Sequence, residues 1–402
     1  MAHFGDGLAV GLDLERAAQD AVEQALAPLS EPPSLVCVFV GGAAPDAAER
    51  AGDAAMATAT GESSSGASPG PVVLGCTASG VIGAGRGVEE SGAVSAWAAV
   101  LPGVRVTPFL LESVRSPDGI VVTGLPVPAA DDRIAVLLAD PYRFPADAFV
   151  GESAAQLGGL PIVGGLAGAA AETGADGVRL YLDGEVHEGG AAGVLLGGTL
   201  DVATVVSQGC RPVGPAMAVT AATGNEIAEL AGTPALVKLE EIVSELPMPD
   251  QALLSEGLHI GIAMDEYADE HERGDFLVRS VIGADPQAGL LAIGAVVEVG
   301  QTVRFQVRDA VAAAADLEQM LAAFGTASGI HAVGGVLLFS CNGRGAAFFG
   351  SADHDIGAVR RALDPQAVGG FFAAGEIGPI GGRNHVHGFT ASILAFGAGT
   401  GG

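Results

Sequence analysis

Short apolar runs, each followed by a helical stretch and then by a glycine-rich segment, recur along the chain. Residues 35–40, 134–139 and 336–340 are rich in β-branched and large apolar side chains, which predicts buried strands. Glycine-rich segments follow at residues 75–83, 164–168 and 370–378. The first and last of these segments share five identical positions. This pattern predicts two or three related strand–helix–strand units whose glycine-rich turns lie at equivalent ends.

The predicted fold class is therefore α/β of the mixed α+β kind, with layered mixed sheets, flanking helices and two related domains. Residues 178–187 predict a hairpin with Asp183-Gly184 as a type I′ turn, and residues 276–308 predict a meander. Helices are predicted at residues 225–231, 239–245 and 310–324, the last with Asp309 as its N-cap. The predicted divisions are a helical lead-in at residues 1–34, a domain at 35–231 and a domain at 232–402.

Charge and composition exclude several classes of function. The chain has 18 Lys+Arg against 47 Asp+Glu, a net charge of −29, and the acidic residues form no long run. A nucleic-acid partner needs clustered basic residues, so none is expected, and an anionic membrane surface is disfavoured for the same reason. The apolar stretches are too short to span a membrane, so no membrane insertion is expected. Four widely spaced cysteines indicate neither a zinc site nor a disulfide framework and favour a cytoplasmic location.

The richest polar stretch is residues 369–388, where an acid, an arginine, an asparagine and two histidines lie among glycines. Arg383 offers a planar fork that suits a carboxylate, and Glu376 can hold an ammonium group. Together with Asn384 they would suit a zwitterion such as an amino acid. The alternative is a Glu376–Arg383 ion pair that only stabilises the turn.

Two further sets of residues are candidates. Asn342 and Arg344 directly follow a predicted strand, where ligands often bind in α/β folds, although Asn342-Gly343 is equally a turn signal. Cys76 or Cys341 could be a nucleophile if a nearby histidine at 385 or 387 acted as the base; the alternative is that both are small core residues. Two histidines alone do not make a metal site, so neither metal nor cofactor is predicted.

The chain resembles the FIST family of sensory signal-transduction proteins over nearly its whole length. The stretches that carry the resemblance are residues 75–80, 164–168, 189–193, 209–214, 274–279, 305–309, 341–345 and 375–388, of which the last two are the most specific. The resemblance implies a FIST N-terminal domain followed by a FIST C-terminal domain. It also implies a small-ligand sensor, with amino acids as the proposed ligands and a protein partner for the output.

The sequence therefore predicts a small-molecule-binding sensor for amino acids or related small carboxylates, and no catalytic residue. The candidate ligand-binding residues are Asn342, Arg344, Glu376, Arg383, Asn384, His387 and Cys76. One alternative is a Cys/His-dependent hydrolase or transferase acting on a small molecule. Another is a structural adaptor, although the sequence offers no linear docking motif.

Overall fold

A computed structural model describes residues 1–61, 70–117, 119–268, 271 and 273–399. Its contacts divide the chain into two compact units. Unit 1 comprises Met1–Ser207, Leu317–Val386 and Thr390–Gly402, and unit 2 comprises Gln208–Asp316 and His387–Phe389.

In the first part of unit 1, the described residues form fourteen strands and three α-helices. They are β1 (His3–Val10), α1 (Leu14–Leu26), β2 (Leu35–Gly41), α2 (Pro45–Thr60), β3 (Val72–Ala78), β4 (Gly80–Gly83), β5 (Arg86–Glu89), β6 (Ala93–Val100), β7 (Val104–Ser116), β8 (Gly119–Thr123), β9 (Asp132–Ala139), α3 (Ala146–Gln156), β10 (Ile162–Leu166), β11 (Leu180–Leu182), β12 (Glu185–His187), β13 (Ala191–Gly198) and β14 (Val202–Gln208). Residues 1–34, predicted as a helical lead-in, thus also contain a strand, because β1 pairs along its whole length with β6.

The rest of the chain first forms the elements of unit 2 and then returns to unit 1. The elements up to the return are β15 (Cys210–Pro212), β16 (Met217–Thr223), β17 (Glu226–Leu230), β18 (Thr233–Pro234), α4 (Ala235–Glu245), α5 (Met248–Glu256), β19 (Leu258–Ala263), β20 (Phe276–Asp285), β21 (Leu290–Ile293), β22 (Thr302–Arg308) and α6 (Ala310–Ala327). Those that follow are β23 (Val333–Cys341), α7 (Ala346–Phe349), α8 (His354–Leu363), β24 (Ala367–Ala373), β25 (Glu376–Ile380), β26 (Arg383–His387) and β27 (Thr390–Gly397).

Unit 1 is built from three copies of one strand–helix–strand unit, which confirms the predicted α/β class and the predicted recurring units. In each copy, two parallel strands are connected by a helical segment. A later strand, called the returning strand, pairs antiparallel with the first strand. Repeat 1 uses β2, β3 and β6; repeat 2 uses β9, β10 and β13; repeat 3 uses β23, β24 and β27. The strands are almost continuously buried, as expected for sheets covered on both faces.

The hairpins between the second and the returning strand are exchanged among the three sheets. Hairpin β4–β5 pairs with β24, β11–β12 pairs with β3, and β25–β26 pairs with β10. Asp183 and Gly184 both have positive φ, of 49° and 96°, in the β11–β12 turn, as the predicted type I′ turn requires. Each sheet thus contains a hairpin that comes from another repeat, and the three repeats form a single unit. The glycine-rich segments of the repeats therefore lie next to one another.

One glycine recurs at the same place in each repeat because the neighbouring parallel strand leaves no room for a side chain. Gly75, Gly164 and Gly370 lie in the second strand, opposite residues 38, 137 and 338 of the first strand. A Cβ atom on any of them would overlap the carbonyl oxygen of that opposite residue. These three positions therefore require glycine for packing.

We expect Gly370→Ala to destabilise the protein by about 1–3 kcal/mol, because the added methyl group forces the two strands apart. The matched control is Gly151→Ala on the exposed side of α3, where a Cβ atom meets nothing within 4 Å. That change should stabilise by about 0.5–1 kcal/mol, since alanine is the better helix former. Urea unfolding of the two variants measures both effects; equal stability of the two variants would contradict the repeat alignment.

Unit 2 is an antiparallel sheet that closes on itself. Its strand order is β15-β22-β16-β17-β21-β20-β19, and β19 pairs back onto β22. The predicted meander is wrong in its last step, because β22 pairs with β16 and β19 and not with β21. The buried side of this sheet carries apolar residues such as Ile260, Val303 and Phe305.

Two local predictions in this part of the chain had different outcomes. Residues 225–231, predicted as a helix, form β17. A bulge in the β16–β17 pairing places Ile227 and Leu230 both in the core, and their spacing of three resembles a helical pattern. The predicted cap of α6 is confirmed, because the Asp309 carboxylate accepts a hydrogen bond from the Ala312 N–H at 3.0 Å.

Candidate functional site

A buried ion pair lies where β23 of unit 1 ends. The Arg344 guanidinium donates from Nε to Oδ2 of Asp355 at 2.8 Å and from Nη2 to Oδ1 at 3.0 Å. The side chains of Arg344 and Asp355 are only 1% and 4% exposed. The two-point geometry holds the guanidinium plane in one orientation.

Asp355 is further held by its neighbours. The Ser340 hydroxyl donates to Oδ2 at 2.7 Å, and His354 Nδ1 donates to Oδ1 at 2.8 Å. Burial alone would raise the pKa of Asp355, but Arg344 and these hydrogen bonds hold that pKa below its ordinary value. Asp355 is therefore an anion that fixes Arg344. The Phe349 ring lies 5.1 Å from the guanidinium carbon and stacks on His354.

Glu376 is the second buried acid of this cluster, and it is held differently. It is fully buried, and only its Oε2 is well satisfied, by the Thr390 N–H at 3.0 Å and the Thr390 hydroxyl at 2.8 Å. Burial raises the pKa of Glu376 to about 8, although Thr390, Arg344 and Cys341 each act to lower it. At neutral pH this side chain is therefore mainly a neutral carboxylic acid.

Two polar atoms in the cluster have no hydrogen-bond partner. They are Nη1 of Arg344 and Oε1 of Glu376, both buried. The Cys341 thiol is close enough to Glu376 to lower its pKa, although Oε1 makes no hydrogen bond of normal geometry. Arg344 acts electrostatically on both Cys341 and Glu376, so the three groups are neighbours. Leaving a buried polar atom unpaired costs about 1–3 kcal/mol of folding stability. A purely structural role would therefore reduce the stability of the protein.

Glu376 also departs from the internal repeat. Glu376 pairs with Gly165, the residue directly after the recurrent glycine of the β10 strand. In the other two sheets, the hairpin residue that pairs directly after the recurrent glycine is Leu180 or Val81. Both of these are fully buried apolar side chains. The architecture therefore accepts a hydrocarbon at this position, and the packing of the repeat does not require the carboxyl group.

Arg383 and Asn384 lie apart from this cluster. Arg383 is exposed and follows the Gly381-Gly382 turn, whereas Glu376 begins the other strand of the hairpin. Five residues of strand correspond to roughly 15 Å, so the expected alternative of a Glu376–Arg383 ion pair is wrong. Asn384 is buried and holds the chain: its amide oxygen accepts from the Ile162 N–H, and its amide nitrogen donates to Ser153 and Leu160.

The remaining predicted residues are distributed over both units. Asn342 is exposed, and its Oδ1 lies 3.7 Å from the Cys341 sulfur, so it is beside the cluster. Cys76 is fully buried in a strand, where burial holds the pKa of its thiol well above the usual range. His387 is buried and belongs to unit 2. Of the predicted set, the structure thus brings together Arg344, Glu376 and Asn342.

The partners that complete the cluster were not predicted. Asp355 lies eleven residues after Arg344 in the first turn of α8, and it was not among the predicted site residues. Ser340 and Thr390 lie inside apolar runs and gave no signal. An acidic residue in the first turn of a helix is common because it stabilises the helix N-terminus, so no local pattern marked Asp355 as a site residue.

An open cleft of about 510 Å³ in unit 1 lies elsewhere. The returning strands β6, β13 and β27 end at it, and Leu101, Gly198 and Phe396 are among its lining residues. Its lining includes none of the cluster residues, and Arg133 and Asp201 are the charged side chains there. We therefore place the candidate site at the cluster, where polar groups converge, and not at the cleft.

We expect Arg383→Ala to leave the melting temperature within about 1 °C of the wild type, because surface changes away from specific contacts usually alter stability by less than ~0.5 kcal/mol. Asn384→Ala is the contrasting variant, since it leaves buried backbone groups at Ile162 and Leu160 unpaired and should cost about 1–3 kcal/mol. Thermal unfolding of the two proteins checks this. A large loss in Arg383→Ala would show that the hairpin end carries a structural contact.

A unit of three repeated strand–helix–strand copies and a separate closed antiparallel unit define a protein of the α/β class. Comparison with protein families is more specific: residues 34–233 match the FIST N domain and residues 235–379 match the FIST C domain. The chain belongs to the FIST family, whose domains are associated with sensory signal transduction. Among the described residues, no helix is both long and apolar enough to cross a membrane.

Similar proteins occur in mycobacteria. An uncharacterized protein of Mycobacterium tuberculosis (strain H37Rv) is 43% identical over 324 residues, which cover 81% of this chain and 83% of that protein. An uncharacterized protein of Mycobacterium bovis (strain AF2122/97) is 42% identical over 326 residues, with coverage of 81% and 83%.

Proposed function

We propose that this protein is a cytoplasmic sensor that binds a small carboxylate or amino acid at the Arg344–Glu376 cluster and signals through a protein partner. The observation that supports this most directly is the pair of unpartnered buried atoms, Nη1 of Arg344 and Oε1 of Glu376. They lie in a protein whose other repeats place hydrocarbon where Glu376 stands.

The chemistry of the two groups selects the ligand. Asp355 fixes two nitrogens of Arg344 and leaves Nη1 to donate to a ligand carboxylate. Glu376 in its protonated form can donate a second hydrogen bond to the same anion. Glu376 in its ionised form can instead accept from a ligand ammonium group. A small ligand that carries a carboxylate, with or without an adjacent ammonium, satisfies both atoms.

A thermal-shift screen with amino acids and simple small carboxylates tests the proposal. A ligand present at 100 times its dissociation constant should stabilise the wild type by about 2.7 kcal/mol. Glu376→Gln retains an acceptor for Thr390 but cannot ionise, so it should lose the response to amino acids. Arg383→Ala is the matched control and should respond like the wild type.

The pH dependence separates the two kinds of ligand. The affinity for an amino acid should rise as the pH increases towards about 8, because its ammonium group binds the ionised form of Glu376. The affinity for a simple carboxylate should fall over the same range. The proposal is wrong if no small carboxylate or amino acid shifts the melting temperature, or if Glu376→Gln responds to amino acids as the wild type does.

A further inference from the structure

The open cleft of unit 1 is lined by one cation and one anion, Arg133 and Asp201, both of them exposed. The two acids that directly precede Arg133 in the chain, Asp131 and Asp132, each pair with Arg105 at 2.7 Å. Among the described residues, neither Arg133 nor Asp201 has an ion-pair partner. Charges of both signs are thus available to a ligand in the cleft.

Arg133 is also the extra residue of a β-bulge at the start of β9. Its neighbours Asp132 and Ile134 pair with the consecutive residues Gly197 and Leu196 of β13, so Arg133 has no partner of its own in that ladder. Bulges bend a strand and re-aim a side chain, and they are over-represented next to active sites.

Repeat 3 has the same bulge but holds a glycine there. The extra residue of β23 is Gly334, which, like Arg133, lies four positions before the residue opposite the recurrent glycine, Leu338 or Leu137. A Cβ atom on Gly334 would overlap the Phe4 ring. The bulge itself therefore does not require an arginine, and Arg133 is a departure from the repeat that lines the cleft.

The floor of the cleft is apolar. Phe396 and Leu101 line it and are buried, and the half-buried Val104 and Leu200 also line it. The cleft volume of about 510 Å³ lies in the range of roughly 300–1,000 Å³ that holds drug-sized ligands. A ligand that fills the cleft is therefore larger than a single amino acid, carries apolar groups and has charges of both signs.

We propose that this cleft binds a short apolar peptide with free termini, such as a dipeptide or a tripeptide. Arg133 holds the peptide carboxylate, because a planar guanidinium suits that group, and Asp201 holds the terminal ammonium group. The apolar side chains lie on Phe396 and Leu101, where burial of hydrocarbon contributes to affinity. None of the residues of the Arg344–Glu376 cluster lines the cleft, so this is a second ligand site.

The single tryptophan of the chain can report on the cleft. Trp97 is fully buried, and its ring centroid lies 5.2 Å from that of Phe396. Titration of the full chain with leucyl-leucine, which has no aromatic ring of its own, is followed by Trp97 fluorescence and by calorimetry. Leucine alone should bind at least about tenfold more weakly, because it buries one apolar side chain fewer.

Capped peptides assign each charge of the peptide to one side chain. N-acetyl-leucyl-leucine lacks the ammonium group and leucyl-leucinamide lacks the carboxylate, so each should bind about tenfold more weakly than leucyl-leucine. Arg133→Gln should weaken the binding of leucyl-leucine about tenfold and leave that of leucyl-leucinamide unchanged. Asp201→Asn should likewise weaken the binding of leucyl-leucine and leave that of N-acetyl-leucyl-leucine unchanged. Both side chains are exposed, so both variants are expected to fold.

Arg383→Gln is the matched control, since it removes an exposed arginine that lies outside the cleft, and it should bind leucyl-leucine like the wild type. The inference is wrong if no apolar dipeptide or tripeptide produces heat or a fluorescence change, or if leucine alone binds as tightly as leucyl-leucine. It is also wrong if Arg133→Gln and Asp201→Asn bind the free peptide like the wild type, or weaken the matched capped peptide equally. The thermal-shift screen of the proposed function does not decide it, because that ligand site is a different one.

Discussion

Replacing Arg344 by alanine is expected to destabilise the protein by about 3–5 kcal/mol, because it leaves the Asp355 carboxylate buried without its counter-charge. The two-point contact at 2.8 and 3.0 Å is lost, and only Ser340 and His354 remain as donors to the acid. This is a large part of the total stability of an ordinary domain, about 5–15 kcal/mol. Urea unfolding at neutral pH measures the loss.

The double variant Arg344→Met, Asp355→Leu is the matched control. Hydrocarbon side chains of similar volume often replace a buried ion pair with little cost, so this protein should regain most of the lost stability. The deficit of Arg344→Ala should also shrink in acid. The folded-state pKa of Asp355 is lowered in the wild type, so its contribution is present above the unfolded pKa of ~3.9 and is lost as the pH falls. A deficit of under 1 kcal/mol in Arg344→Ala would show that the pair is not essential to the fold.

The second large effect is a loss of wild-type stability as the pH rises from about 4.5 to about 8. The folded-state pKa of Glu376 is raised to about 8 by burial, so the folded protein binds a proton that the unfolded chain has released. Stability therefore falls with pH across this window and levels off above it. With ~1.4 kcal/mol per pKa unit, the total loss from this group is roughly 3–5 kcal/mol.

Glu376→Gln isolates this contribution, because glutamine keeps an acceptor for Thr390 and cannot ionise. Unfolding of both proteins at pH 5 and pH 9 gives the difference between their pH dependences. The variant should be close to the wild type at pH 5 and more stable than it at pH 9. Parallel pH dependences in the two proteins would contradict the raised pKa of Glu376.

Local sequence patterns predicted the recurring units well, because buried strands and the helices between them leave periodic apolar runs. The glycines at 75, 164 and 370 were visible for a physical reason, since only glycine fits opposite the carbonyl group of the parallel strand. Local patterns failed at β17, where a bulge changes the apolar spacing, and at β1, where an edge strand is rich in glycine.

The candidate site was only partly predictable. Arg344 and Glu376 were identified as polar residues beside strands and glycines, and they do lie together. The sequence could not separate them from Arg383, because only the hairpin shows that residue 383 lies at the turn and residue 376 at the far end of the facing strand. Asp355, which orients Arg344, was missed because its role depends on the packing of α8 against β23.

By itself, the sequence determined the α/β class, the recurring units, the FIST family and the net charge of −29, all of which depend on composition or on local spacing. Only the tertiary structure showed which sheet each hairpin pairs with, because strand pairing between distant segments is set by long-range packing. That exchange places Glu376 opposite Gly165 in the sheet of another repeat, away from water. Burial in that position raises the pKa of the Glu376 carboxyl group. For this reason Glu376 is a candidate binding residue and not an ordinary solvated acid.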